Sequence, residues 1–129
     1  MTTEGLLKIL AFASKHNPMA KFLDQLSTHN GSDQTIERCF FLSELETRVI
    51  QPHPDINLVI VCINDAREII GLTKMRERLL DIKLVIVLPF RDDDMISWAY
   101  KLGPRFIAYA DDDTHFLESA LRKMLDPFT

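Results

Sequence analysis

LVIVCI (residues 58–63) is a continuous apolar run, and KLVIVL (residues 83–88) follows it after a stretch with helical periodicity. Aliphatic runs without polar alternation are typical of strands that are buried on both faces of a parallel sheet. LLKILAF (residues 6–12) has the same character. The three runs therefore predict the central strands of a parallel sheet that is covered by helices on both faces.

Two less regular runs predict the outer strands of this sheet. Ile36–Leu42 is more mixed in polarity, and the apolar part of Arg105–Ala110 is shorter than LVIVCI, so both suit the sheet edges. A helical pattern follows every strand, and right-handed crossovers then favour a flavodoxin-like strand order, 2-1-3-4-5. The sequence predicts one α/β domain over residues 1–129, a three-layer (βα)5 sandwich around a five-stranded parallel sheet.

Helix boundaries are predicted from capping residues. Asn17-Pro18 marks the start of the first helix, and Ser43-Glu44-Leu45-Glu46 has the spacing of a capping box that opens the second. We predict the third helix as one segment over Ala66–Leu80 and the end of the fourth at Gly103-Pro104. The fifth helix follows Asp111–Asp113, whose carboxylates suit a helix N-terminus.

Composition excludes several classes of function. The 129 residues carry a net charge of -4, and the 15 Lys and Arg residues are scattered, so we expect no nucleic-acid binding. The apolar runs are far shorter than the roughly 20 residues that cross a bilayer, and Met1–Glu4 does not resemble a signal segment. We therefore expect a cytoplasmic protein that does not bind membranes. The two cysteines, Cys39 and Cys62, do not have metal-ligand spacing.

The length, the (βα)5 alternation, Gly103 before the fifth strand and the terminal amphipathic helix resemble the receiver domain of bacterial two-component response regulators. The resemblance implies an acidic pair after the first strand that holds magnesium and a phosphate-accepting aspartate at the end of the third. It also implies a Ser or Thr at the end of the fourth strand and a lysine at the end of the fifth. Carboxylates bind the hard cation, and metal and lysine neutralise the phosphoryl oxygens during transfer.

None of these positions carries the expected side chain. By the resemblance, the positions fall on Ala13 and Ser14 (acidic pair), Cys62 (phosphoacceptor), Leu88 or Pro89 (hydroxyl residue) and Ala110 (lysine). A one-residue slip in the fifth strand would put the lysine position on Tyr109, and a slip after the first strand would offer Lys15, but neither restores the set. We therefore interpret the chain as a degenerate pseudo-receiver that binds no metal or cofactor and has no enzymatic activity. It would signal through contact with a kinase or an output domain.

Two residues keep a chemical switch open as an alternative. Asp65 is the first carboxylate after the third strand and is an alternative phosphoacceptor, although it also suits the N-cap of the next helix. Cys62 is either a reactive thiol at the sheet edge or a small buried core residue. Without carboxylates at Ala13 and Ser14, Asp65 would lack support from a metal ion. We favour the capping and core interpretations.

Two further features suggest binding surfaces. The runs Asp92–Asp94 and Asp111–Asp113 both follow strands and could form a displaced cation site, but helix capping explains each of them. A candidate interface lies on the fourth helix and fifth strand, the side that receivers use for dimerisation or output contacts. Its residues are Trp98, Tyr100, Ile107 and Tyr109, some of which could instead close the core.

Overall fold

The computed structural model describes residues 7–29, 34–50, 56–111 and 114–125. Five parallel strands form one sheet in the order β2-β1-β3-β4-β5, so the predicted topology and the two predicted edge strands are confirmed. The strands are β1 (Leu7–Phe12), β2 (Gln34–Cys39), β3 (Ile56–Cys62), β4 (Lys83–Leu88) and β5 (Phe106–Tyr109). The helices are α1 (Ala20–His29), α2 (Leu42–Ile50), α3 (Ala66–Thr73), α4 (Arg76–Leu79), α5 (Asp93–Tyr100) and α6 (Thr114–Leu125).

Both faces of the sheet are buried, which explains the unbroken apolar strands. In β3, Val59 and Val61 face the core beneath α2, α3, α4 and α5, whereas Leu58, Ile60 and Cys62 face the core beneath α1 and α6. Successive side chains of a strand point to opposite faces, so the buried residues of the central strands are apolar on both faces, whereas Asn57 and Lys83, near the strand starts, are exposed. Burial of each aliphatic side chain stabilises the folded state by about 1.5–3 kcal/mol.

The strand ends are joined in register, so the loops that follow them meet at one edge of the sheet. Cys62 lies opposite Val87, and the N–H of Ile63 donates to the Val87 carbonyl at 2.9 Å. Between β1 and β2, the N–H of Ala13 donates to the Cys39 carbonyl at 3.1 Å. The carboxyl ends of β1 and β3, where ligands bind in sheets of this topology, are held side by side because Phe12 lies opposite Val61.

The start of α2 corrects two predictions. The second strand ends at Cys39, not at Leu42, because Glu44 Oε1 accepts hydrogen bonds from the N–H groups of Phe40 (2.7 Å) and Phe41 (3.0 Å) and turns the chain into the helix. Glu44 is the third helical residue, so it makes the backward bond of a capping box. The box predicted from Ser43 to Glu46 is therefore wrong.

The predicted third helix, Ala66–Leu80, is also wrong as one segment, because α3 and α4 are separate. At Met75 the backbone leaves the helical region (φ -110°, ψ 21°), and its buried side chain joins the core. Thr73 adds a hydroxyl bond to the Ile70 carbonyl, a local contact that competes with regular helix. Most other boundaries differ from the predictions by one or two residues.

α5 ends at Tyr100, three residues before the predicted end at Gly103. Gly103 lies in the turn that follows, with a φ of +68° that glycine adopts without strain. The aspartates Asp112 and Asp113 lie outside the described residues. Within the parts of the chain that are described, no helix is long and apolar enough to cross a membrane.

Candidate functional site

The positions that would hold acidic chemistry are apolar and packed. Ala13, Cys62 and Leu88 are each 0% exposed, and Ala13 and Cys62 belong to the same core beneath α1 and α6. Pro89 and Ala110 are half-buried, and the N–H of Ala110 donates to the Leu88 carbonyl at 2.7 Å. The structure therefore brings the predicted positions together at one sheet edge, where none of them supplies a charge.

A network of neutral side chains joins the loop after β1 to the loop after β3. Asn17 Nδ2 donates to Asn64 Oδ1 at 2.7 Å and to the Cys62 carbonyl at 3.3 Å. Asn64 Nδ2 donates in turn to Ser14 Oγ at 2.7 Å. Asn17 is 5% exposed, and buried amides are tolerated only when they are hydrogen-bonded, as this one is. We call Ser14, Asn17 and Asn64 the amide bridge.

Glu68 fixes the β3 side of the amide bridge. Its Oε1 accepts from the N–H of Asn64 at 2.7 Å, and its Oε2 lies 3.4 Å from Asn64 Nδ2. The same residue's N–H donates to Asp65 Oδ1 at 3.2 Å, so Asp65 is the N-cap of α3, as the capping interpretation expected. Asp65 lies outside the amide bridge and is exposed. Its role as an alternative phosphoacceptor stays a prediction.

The aspartates after β4 also cap a helix. Asp92 is the N-cap of α5, and its Oδ1 accepts from the N–H of Met95 at 3.0 Å. Asp93 and Asp94 lie in the first turn, where their charges favour the helix dipole. Across the described ranges, no three His, Cys, Asp or Glu side chains are grouped as metal ligands.

The residues at the end of β1 do not fit the magnesium ion of phosphorylated receivers. Arg38 Nη1 lies 3.5 Å from the Ala11 carbonyl and 3.4 Å from the Ala13 carbonyl, so a guanidinium already occupies these oxygens. Its Nε donates to Asp24 Oδ1 at 3.3 Å, and its buried Nη2 has no hydrogen bond to the described part of the chain. A hard divalent cation binds carboxylate, carbonyl and water oxygens, whereas the Ala11 and Ala13 carbonyls here already face the positive charge of Arg38.

Both thiols are in environments that suppress reactivity. Burial raises the pKa of Cys62 to about 12, with a smaller opposing effect of the positive charge on Arg38. Burial, together with the nearby carboxylates of Glu37 and Glu44, raises the pKa of Cys39 to about 11. The nucleophilic form of a thiol is the thiolate, which is scarce near neutral pH at such values. The core interpretation of both cysteines agrees with their burial.

The four residues of the predicted interface lie in different environments. Trp98, Ile107 and Tyr109 are partly buried and pack against the core, as the alternative interpretation anticipated. Lys101 lies 4.4 Å from the Trp98 ring centre, and Arg91 lies 4.0 Å from that of Tyr109. Tyr100 is 66% exposed and is the member of the set that is available to a partner.

A pocket of about 340 Å³ adjoins the amide bridge, and the sequence analysis did not anticipate it. It opens between the loop after β1, the loop after β2 and the first turn of α3. Its lining consists of apolar side chains with a polar rim: Phe12, Phe40, Phe41 and Leu42, then Ser14, Lys15, His16 and Glu68. Phe40 and Phe41 were predicted to be strand residues, so their exposure at a turn was missed.

The fold is similar to solved receiver domains. A CheY-like response regulator receiver domain from Methanospirillum hungatei JF-1 superposes with a TM-score of 0.74 at 15% identity, over 94% of each chain. A response regulator from Thermotoga maritima gives 0.70 at 16% identity, over 93% of this chain and 98% of that one. A chain named as a CpaE2 pilus assembly protein from Sinorhizobium meliloti 1021 gives 0.65 at 13% identity, over 92% and 99%.

At such low identity these likenesses establish the fold. The chain has the fold of CheY-like receiver domains, as its sequence led us to expect. No family model matches the sequence, and no curated protein matches it.

Proposed function

We propose that this receiver-fold chain acts in two-component signalling as a pseudo-receiver, passing its signal by protein–protein contact without an aspartyl phosphate and without enzymatic activity. One observation supports the proposal: Ala13 and Cys62, which the resemblance assigns to the acidic site, are buried, and the amide bridge joins the loops beside them. The partner would be a cytoplasmic signalling protein, such as a kinase or an output domain.

The chemistry of phosphoryl transfer supports this proposal. Transfer to an aspartate requires a carboxylate nucleophile and positive charge placed against the equatorial phosphoryl oxygens. Cys62 offers a neutral thiol inside the core, and Leu88 and Ala110 offer no polar side-chain atom. Arg38 is the cation whose charge lowers the pKa of Cys62, and its guanidinium is bonded to Asp24 and to backbone oxygens. Among the residues that the structure describes, these positions supply neither the nucleophile nor a group of metal ligands.

The same residues support a fixed conformation. In the amide bridge, Asn17 uses both side-chain N–H bonds and its oxygen, which accepts from the N–H of Met19 at 2.8 Å. A fully satisfied buried network is costly to rearrange because each displaced group would lose its partner. The domain would therefore present one surface to its partner without a phosphorylation step. A homodimer through α5, β5 and α6 is a second form of the same contact-based role, supported by the exposed Tyr100.

Incubation of the full chain with Mg²⁺ and acetyl phosphate, followed by intact mass measurement, tests this function. We expect no phosphoryl adduct, whereas a phosphorylatable receiver domain treated in parallel should show one. The Asp65→Asn variant is measured beside the wild type. A stoichiometric adduct would overturn the proposal, and its loss in Asp65→Asn would identify Asp65 as the phosphoacceptor.

A further inference from the structure

We propose that the pocket beside the amide bridge binds a small neutral molecule that has an apolar body and one hydrogen-bond-accepting oxygen, such as that of a ketone. The pocket borders Ser14 and Glu68, which are both bonded to Asn64, so a bound molecule would touch the loops that the amide bridge joins. The ligand site itself goes beyond the proposed function. Its use as a signal input rests on that function.

The interior of the pocket is apolar. Phe12, which is 1% exposed, lines it together with the half-buried Leu42 and the exposed Phe40 and Phe41. Its volume of about 340 Å³ is near the lower end of the range for ligand sites, which is about 300–1,000 Å³. A phenyl ring with a short chain fits this space, whereas a nucleotide-sized cofactor would not be enclosed. Apolar walls with few polar groups are typical of small-molecule sites.

A chain of hydrogen bonds ends at the wall of the pocket. Asn17 Nδ2 donates to Asn64 Oδ1, and Asn64 Nδ2 donates to Ser14 Oγ, each at 2.7 Å. Ser14 is thus an acceptor, and within the described parts of the chain no residue accepts from its hydroxyl proton. A hydroxyl that accepts a hydrogen bond becomes a stronger donor. The Ser14 hydroxyl therefore suits an acceptor oxygen on a molecule in the pocket.

The charges around the pocket favour a neutral molecule. Glu68 lies at the rim with Glu44 beside it, Lys15 contributes a positive charge, and His16 is counted as neutral. An anionic ligand would face the two carboxylates, whereas a cationic ligand would face Lys15. A ligand of either charge would therefore meet a like charge, and a neutral one would not.

The aromatic wall is held in place before a ligand binds. Glu44 Oε1 accepts from the N–H groups of Phe40 and Phe41, and the Arg38 guanidinium lies 4.6 Å from the Phe40 ring centre. A preorganised wall loses little conformational entropy on binding. The guanidinium also covers part of the Phe40 ring, which leaves less of it for a cation–π contact with a cationic ligand.

Titration of the isotope-labelled full chain with matched probes, followed by amide NMR, tests this inference. Benzylacetone carries a phenyl ring, a short chain and a ketone. Hydrocinnamate has a carboxylate in place of the ketone, phenylpropylamine has an ammonium group, and ethylbenzene has no polar atom. We expect benzylacetone to give saturable shifts at the amides of Ser14, Phe41 and Glu68. Each of the other probes should bind at least about fivefold more weakly.

Variants separate the role of the Ser14 hydroxyl from that of the apolar walls. Ser14→Ala should weaken benzylacetone binding about fivefold and leave ethylbenzene binding unchanged, because only the ketone accepts from the hydroxyl. Phe41→Ser should weaken the binding of both probes. Tyr100→Ser removes an aromatic residue of the same 66% exposure and should weaken neither. The wild-type probe series and Phe41→Ser still test the pocket if Ser14→Ala loses stability.

Four results would each overturn the inference: no saturable shifts with benzylacetone, a charged probe that binds as tightly as benzylacetone, equal weakening of both neutral probes by Ser14→Ala, or shifts centred on Tyr100. Concentration-dependent shifts of the pocket amides without a probe would identify a second copy of the chain as the occupant and would also overturn it. The acetyl phosphate test is independent, because a phosphoryl adduct would sink the proposed function even if benzylacetone bound.

Discussion

The side-chain amide of Asn17 donates a hydrogen bond of 2.7 Å to Asn64 Oδ1, across 47 positions of the chain. It joins the loops at the carboxyl ends of β1 and β3, which are neighbours in the sheet. In a phosphorylatable receiver these two loops carry the magnesium ligands and border the phosphoacceptor. Here the hydrogen bond joins two neutral side-chain amides, so the two loops are bound directly to each other.

Replacing Asn17 by alanine should destabilise the protein by about 1–3 kcal/mol, because the Cys62 carbonyl, Asn64 Oδ1 and the Met19 N–H would all lose a partner. Urea unfolding followed by circular dichroism gives the loss. Asn57→Ala is the control, since Asn57 Oδ1 accepts from the Lys8 N–H at 2.8 Å but is exposed. The Asn57→Ala variant should lose less than about 1 kcal/mol of unfolding free energy. Equal losses of unfolding free energy for the two variants would mean that the amide bridge stabilises the protein no more than an exposed hydrogen bond does.

Introducing the missing phosphoacceptor by Cys62→Asp should cost more than about 3 kcal/mol at pH 7, because position 62 is fully buried and the charge would be unpaired. Burial would raise the pKa of the new carboxyl above its unfolded value of about 3.9. The penalty should therefore be smallest below pH 4 and should grow as pH rises toward the folded-state pKa.

Unfolding free energies of Cys62→Asp and Cys62→Ser, compared at pH 4 and pH 7, test this prediction. The serine variant has no titrating carboxyl, so its penalty should not change between the two values. An aspartate that is tolerated at pH 7 would show that position 62 borders an open polar site.

The two thiols should be protected in the folded protein. Alkylation of Cys39 and Cys62 by iodoacetamide at pH 7.5 should be at least about a hundredfold slower than in urea, because burial raises the pKa of both thiols and blocks access. Mass spectrometry of the modified peptides measures each site separately. Rapid alkylation of Cys62 in the folded protein would favour the thiol switch.

The raised pKa values of the two thiols also make the free energy of unfolding depend on pH. The unfolded-state pKa is about 9, so the share of stability that the neutral thiols contribute is fully present below pH 9 and is lost as pH rises toward 11 and 12. The wild type should lose more stability between pH 8.5 and 10.5 than the Cys39→Ala/Cys62→Ala variant. An identical pH dependence would mean that the thiols titrate normally when folded.

Glu44→Ala should cost about 1 kcal/mol, because the N–H groups of Phe40 and Phe41 would lose the carboxylate that starts α2. Glu46→Ala is the matched control, since Glu46 lies on the exposed side of the same helix and was wrongly predicted to close the capping box. Thermal unfolding should show a clear decrease for Glu44→Ala and almost none for Glu46→Ala. The reverse order would restore the predicted box.

The fold was predictable from sequence because both faces of the central strands are buried. A strand such as Lys83–Leu88 shows this burial directly in its composition, and the strand order follows from topology rules that depend only on the alternation of elements. The division of Ala66–Leu80 into two helices was not predictable in this way. It depends on how Met75 and Leu79 reach the core, which is a tertiary effect.

From the sequence, the site could be predicted only as the absence of the acidic residues that receivers have. Ala13 and Cys62 could be recognised as poor substitutes for acidic residues, because that comparison needs their identity alone. Asn17 and Asn64 each resemble ordinary helix caps when the sequence is read locally. Their hydrogen bond depends on the register of β1 and β3, which neither segment encodes by itself. The pocket was missed for the same reason, since two loops and the first turn of α3 form it.

A beryllofluoride titration in the presence of Mg²⁺, followed by amide NMR of the full chain, would decide whether the sheet edge retains any phosphoryl chemistry. Beryllofluoride binds as an aspartyl phosphate mimic and needs the same carboxylate and metal ligands. We expect no saturable shifts at the amides of Ala13, Ser14, Cys62 and Asn64. Saturable shifts at these four amides, with Mg²⁺ required, would show that the amide bridge opens to form a working acidic site.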